Sequence, residues 1–188
     1  MLFLFVIILS CLIAVFRGGR LNNLRRLPIQ HLWLFFVPVI LQFIIFRPQV
    51  FRFSLSDDAV RIIYLTSMLL AALALWLNRA WPGMGWIISG YLLNLTVINL
   101  NGGFMPVSDA AFVIAGGTTI NGRFANGIPI GASTVLPWLG DVLPIPGFLP
   151  INGVFSPGDV LILVGCIVLT QRALKALAGP QSAPQTAS

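Results

Sequence analysis

A chain of 188 residues with 57% hydrophobic and only 9% charged positions departs from soluble domains, in which about a quarter of residues are charged, and predicts a single integral membrane domain. The net charge of +6 comes from dispersed basic residues; without a basic stripe and stacking aromatics, nucleic acid is excluded as a partner. Cys11 and Cys166 lie inside apolar runs and the single His31 is far in sequence from the candidate aspartates, so no metal cluster, cofactor, or Ser/His/Asp or Cys/His centre is expected.

In chain order, the first apolar run, residues 2–16, is short for a span of about 20 residues. It lacks the basic start and cleavage site of a secretory signal, so it is expected to be a retained helix. Arg17, Arg20, Arg25 and Arg26 follow with no acid among them, the pattern of a cytoplasmic loop. Pro28 suits the first turn of a second span over 29–46. Mixed charges from Arg47 to Asp58 then precede a third span over 60–77, and Trp81 and Trp86 fit an interfacial belt before a fourth over 86–100. Asn94, Thr96 and Asn99 interrupt that fourth span, most simply as interhelical hydrogen-bonding groups, with the lining of a polar site as the alternative.

Residues 101–157 are too long for a simple connection and too apolar for a solvated loop. Ser108 before Asp109, with Gly116 beyond, marks a short helix. Five prolines from Pro129 to Pro150 forbid a long one, so this part should be extended and turn-rich, embedded in part against the bundle. The last span is expected over 159–171, extending towards 178, with a disordered tail over 179–188. The expectation is thus an all-α membrane protein of about five transmembrane helices with a long Gly/Pro-rich outer segment before the last.

Seven of the eleven basic residues (Arg17, Arg20, Arg25, Arg26, Arg79, Arg172, Lys175) fall on one side and Arg47, Arg52, Arg61 and Arg123 on the other. The positive-inside rule then places the N-terminus outside and the C-terminus inside a bacterial cytoplasmic (inner) membrane. The expected partners are the lipid bilayer and other membrane-protein subunits.

The outer segment offers little chemistry: Asp109, Arg123 and Asp141, with Asp159 just beyond and no glutamate anywhere. Two close carboxylates share a proton and can activate water, which makes Asp141 and Asp159 the candidate catalytic pair. The simpler alternatives are structural. Ser156 as N-cap, Pro157 at the first helical position and Asp159 two further on have the form of a helix start, and Asp141 after Gly140 could be a turn acid.

The set GGRLNNL from Gly18, NGGFMPVS from Asn101, LGD ending at Asp141 and FSPGDVLILVG from Phe155 resembles a family of bacterial polytopic membrane proteins of uncharacterised function. Asn101, Gly102, Gly103 and Ser156, within these motifs, are candidate binding residues. The end of the chain is also similar to lipoprotein signal peptidase, an intramembrane aspartic peptidase. The resemblance implies one catalytic aspartate in an outer loop, matched by Asp141, and another opening the last helix, matched by Asp159. Ser156 stands where that peptidase has asparagine and Gly158 where it has alanine; its Asp-Arg pair is missing, and Gly116, Gly117 and Asn121 match its glycine-rich motif only in part. A structural or accessory membrane subunit is therefore the leading expectation and an aspartic peptidase the second. A transporter is disfavoured because the spans show no internal repeat.

Overall fold

The computed structural model describes residues 2–26, 29–46, 55–118 and 126–175. The expected disordered tail, the extension of the last helix beyond Lys175, Pro28, Arg47, Arg52, Asn121 and Arg123 lie outside them. Six α-helices are present among the described residues: α1 (Leu2–Phe16), α2 (Trp33–Ile45), α3 (Asp57–Leu77), α4 (Met84–Leu100), α5 (Asp109–Ile114) and α6 (Pro157–Lys175). α3 and α6 are long and apolar enough to cross a membrane, and α1, α2 and α4 are apolar but shorter.

α4 and α6 each begin two residues before the expected limit, at Met84 and Pro157, and the starts of α3 and α2 differ for local reasons. α3 begins before residue 60 because Ser56 Oγ accepts from the Ala59 N–H at 3.3 Å, placing Asp57 and Asp58 in the first turn, where the helix dipole favours acids. α2 begins at Trp33 rather than 29. Upstream, the Gln30 N–H donates to Asn78 Oδ1 at 2.9 Å and its carbonyl accepts from Asn78 Nδ2 at 3.1 Å, and His31 adopts a φ of 50°, which no helix continues.

The antiparallel pair α4 and α6 forms the centre of the bundle. Gly90 meets Gly158 and Gly83 meets Gly165, so close that a Cβ on any of the four would collide with backbone or side-chain atoms of the other helix. Small residues at such a crossing let two helix backbones touch, and packing replaces the side chains that would hold them apart. α1 lies against α6 through Ser10, whose hydroxyl is 2.5 Å from Thr170 Oγ1 and whose carbonyl accepts from Gln171 Nε2 at 2.7 Å. The GGRLNNL turn closes the far end of α6: the Arg20 N–H and Asn23 Nδ2 both donate to the Leu174 carbonyl, at 3.1 and 2.8 Å. Terminal carbonyls of a helix need such partners.

The fold is mostly helical rather than all-α, because the segment between α4 and α6 contains short strands. β1 (Met105–Val107) pairs in parallel with β2 (Gly127–Pro129), and β3 (Leu143–Ile145) pairs antiparallel with β4 (Gly153–Phe155). Proline-rich backbone cannot form helix, yet its partly buried peptide groups still require partners, and short ladders supply them. α5 forms as expected, with Ser108 Oγ accepting from the Ala111 N–H at 3.3 Å and Gly116 at a φ of 91° after it. The buried core, formed by Ile45, Val60, Tyr64, Met68, Val97, Ile98, Met105 and Leu139, lies directly beneath these strands.

Candidate active site

Asp159 is fixed by the start of its own helix. Its N–H donates to Ser156 Oγ at 3.0 Å, and the Ser156 N–H donates back to Asp159 Oδ2 at 3.1 Å. This reciprocal capping box satisfies two terminal donors of α6. Oδ1 is occupied from the neighbouring helix, where Asn94 Nδ2 donates to it at 2.9 Å. Asn94 stands one turn beyond Gly90, on the face of α4 that meets α6. The Gly90–Gly158 contact therefore brings this amide within reach of the helix start.

Asp141 is held by strand pairing. Its N–H donates to the Pro106 carbonyl at 2.8 Å and its carbonyl accepts from the Ser108 N–H at 3.0 Å, which makes residue 141 a third strand position beside β1. One residue later, the Val142 N–H donates to the Phe155 carbonyl at 3.1 Å, tying the same corner to the chain entering α6. Gly140 precedes it against Pro106, whose carbonyl oxygen occupies the space a Cβ would need. A loop residue thus acquires a fixed position relative to the first turn of α6.

Asp141 and Asp159 line one cavity of about 240 Å3, together with Gln42, Tyr64, Tyr91, Asn94, Asn126 and apolar neighbours. Its polar wall is ordered: Gln42 Nε2 donates to Ser67 Oγ at 3.0 Å, the Tyr91 hydroxyl to the Met68 carbonyl at 3.1 Å, and Asn126 Nδ2 to the Tyr64 hydroxyl at 3.4 Å. No lysine, arginine or histidine lines it among the described residues. Burial, and after it the Asp159 charge, pushes the Asp141 carboxyl up to about 7. Between the ordinary carboxyl range and that value the folded chain retains a proton that the unfolded chain has released. Stability is therefore lost as pH rises through this window, and the loss is complete above about 7. Asp141→Asn is expected to raise the melting temperature relative to the unmodified protein at pH 8 but not at pH 4; an equal change at both would separate Asp141 from this pH dependence.

The other candidates are placed elsewhere. Ser156 is fully buried next to the cavity as the α6 cap, its hydroxyl donating to Asn94 Oδ1 at 2.8 Å. Asn101, Gly102 and Gly103 are not in the cavity wall. Asn101 terminates α4 and clasps the backbone of Val135, donating from Nδ2 to its carbonyl and accepting its N–H at Oδ1, both at 2.8 Å. Gly102 and Gly103 follow at φ of 73° and 89°, and the stem of Arg61 packs on Gly103. Asn101→Ala is expected to cost about 1–2 kcal/mol and to speed hydrogen exchange at Val135, while unchanged exchange there would rule out the clasp. Asp109 begins α5, away from the cavity.

Asn94, Gln42, Tyr64, Tyr91 and Asn126 are site residues that motif reasoning does not select. Asn94 and Gln42 left a trace, as amides inside otherwise apolar helices. The tyrosines left none, since a tyrosine in such a run is equally suited to the core.

The model of a family of unknown function (DUF5317) matches residues 26–171, a stretch that takes in both aspartates, Asn94 and the α4–α6 crossing. No curated protein and no solved structure matches the chain.

Proposed function

We propose that this chain, which belongs to the DUF5317 family of unknown function, is a multi-pass membrane hydrolase in which Asp141 and Asp159 form an aspartic pair. The observation that carries this reading is the convergence of the two carboxyls on one cavity, with Asp141 shifted by burial and by the charge of Asp159. An accessory subunit has no need of two acids lining one cavity with one of them shifted by burial, which costs stability and is a mark of functional sites.

Five apolar helices, two of spanning length and three shorter, support a bundle with segment 101–157 at its outer face. The basic residues Arg17, Arg20, Arg79, Arg172 and Lys175 gather towards the other side, the arrangement expected for a cytoplasmic face. Reporter fusions after Arg26, Arg79 and Arg172 should signal cytoplasm. A periplasmic signal after Arg172 would remove the five-span arrangement.

The chemistry is attack of water on an amide carbonyl. A pair holding one proton can take a hydrogen from water with its ionised member and give one to the carbonyl oxygen with its protonated member. The cavity of about 240 Å3 has room for a peptide group and a water, which takes about 30 Å3. Because Asp141 loses its proton near pH 7, activity should fall as pH rises beyond that point.

The similarity of Phe155–Asp159 and Asp141 to lipoprotein signal peptidase makes a lipid-modified precursor peptide the first substrate to test. Purified protein in bilayer discs should cleave it, and Asp141→Asn and Asp159→Asn should not. Turnover that persists in both variants would overturn the aspartic reading.

A further inference from the structure

Both carboxyl oxygens of Asp159 accept hydrogen bonds. The Asn94 amide reaches Oδ1 and the Ser156 N–H reaches Oδ2. The Asn94 amide bridges Ser156 and Asp159. The Ser156 hydroxyl accepts from the Asp159 N–H at 3.0 Å and gives its own hydrogen to Asn94 Oδ1 at 2.8 Å. With Oδ1 engaged, only Nδ2 can face the carboxyl. Turning the amide over would set two acceptor oxygens against each other unless Asp159 carried the proton. The four groups therefore form a closed relay, from the Asp159 N–H through Ser156 Oγ and Asn94 back to Asp159 Oδ1. Asp141 is held instead by its backbone, to Pro106 and Ser108.

We propose that Asn94, aimed by Ser156, is a positioning residue that holds Asp159 as the acceptor member of the pair and leaves the shared proton on Asp141. This rests on the hydrolase reading and assigns the two roles within it. Asp159 takes the proton of the attacking water as its oxygen bonds to the carbonyl carbon, while Asp141 gives its proton to the carbonyl oxygen. When the C–N bond breaks, Asp159 passes its proton to the leaving nitrogen, and Asp141 regains one from a hydroxyl of the tetrahedral carbon. Each carboxyl ends as it began, and the products are an acid and an amine.

Among the described residues, the titratable groups lining the cavity are Tyr64 from α3 and Tyr91 from α4, with Asp141 from the strand corner and Asp159 from α6. The tyrosines are engaged through Asn126 and Met68 respectively. The Asn94 amide and the Ser156 N–H both donate to Asp159.

Site-resolved carbon NMR of the aspartate carboxyls in the full-length protein tests the assignment without any substrate. In the unmodified protein at pH 6 the Asp141 carbon should show the protonated shift; the proton found on Asp159 instead overturns the proposal, whatever the variants do. Asn94→Ala removes a hydrogen bond to a charged group, which alters the proton's distribution between the two carboxyls by about tenfold to a hundredfold. The Asp141 carbon should therefore show less of the protonated shift at pH 6, and because the pair as a whole still holds its single proton, the alkaline limb of the activity profile should not move to lower pH. Asn94→Ser, which keeps a short donor, should recover part of that shift. If Asn94→Ala folds and titrates as the unmodified protein does, Asn94 has no positioning role. If both aspartate variants remain active while the titration behaves as described, the aspartic reading of catalysis fails and the proton assignment stands.

Discussion

Gly158→Leu or Gly90→Leu is expected to abolish folding of the bundle, whereas Gly85→Ala should stabilise it. Gly90 and Gly158 face each other where α4 and α6 cross, and a side chain on either meets the other helix's backbone carbonyl. Overpacking usually costs about 1–3 kcal/mol because neighbours can move aside. Backbone at a helix crossing yields less than a side chain does, so the cost should be at least about 3 kcal/mol, a large part of a typical stability of 5–15 kcal/mol. Gly85 lies on the same helix with open space around its Cβ position, so alanine there should bring about 0.5–1 kcal/mol through helix propensity. Thermal unfolding in detergent checks both. Tolerance of leucine at residues 90 and 158 would disprove the close crossing. Even Gly158→Ala should reduce activity, because its methyl would displace the Asn94 side chain.

The second large effect concerns the pair itself. Asp141→Asn and Asp159→Asn should each reduce kcat by a factor of about 10^3 or more, since acid–base assistance alone is commonly worth 10^2–10^4. The double variant should be no worse than either single one, because groups that act as a unit fail together. Losses that multiply would show that the two carboxyls contribute separately. The measurement is kcat on the lipid-modified peptide for all four proteins. Thermal stability is recorded alongside, so that loss of the α6 cap in Asp159→Asn is distinguished from loss of chemistry.

The features legible in the sequence were local ones. Ser108 and Ser156 each stand before a run with an acid close behind, and each lies at the start of a helix; the like signal at Ser56 was passed over, and α3 starts there rather than at 60. The FSPGD stretch was legible as a helix start, and the capping bonds leave Asp159 on the wall of a cavity that Asp141 also lines. Non-local pairings were not legible. The meeting of Asp141 with Asp159 depends on residue 141 pairing beside β1, and nothing in LGD indicates which strand it will join. The bond from Asn94 to Asp159 depends on two glycines crossing, which a single helix cannot reveal. The strands were missed for a similar reason: proline spacing excludes helix but does not name a partner. Asn101, prominent in its motif, is committed to Val135, a role that becomes visible only once the loop is folded.

The most direct test of the aspartic pair is the titration of the Asp141 carboxyl by carbon NMR, in the unmodified protein and in Asp159→Asn. In the unmodified protein the midpoint should be about 7. In the variant it should fall as the neighbouring charge disappears, yet stay above the ordinary carboxyl range because burial, the larger cause, persists. A midpoint near 4 in both proteins, or one that does not move when Asp159 is neutralised, would contradict the pair.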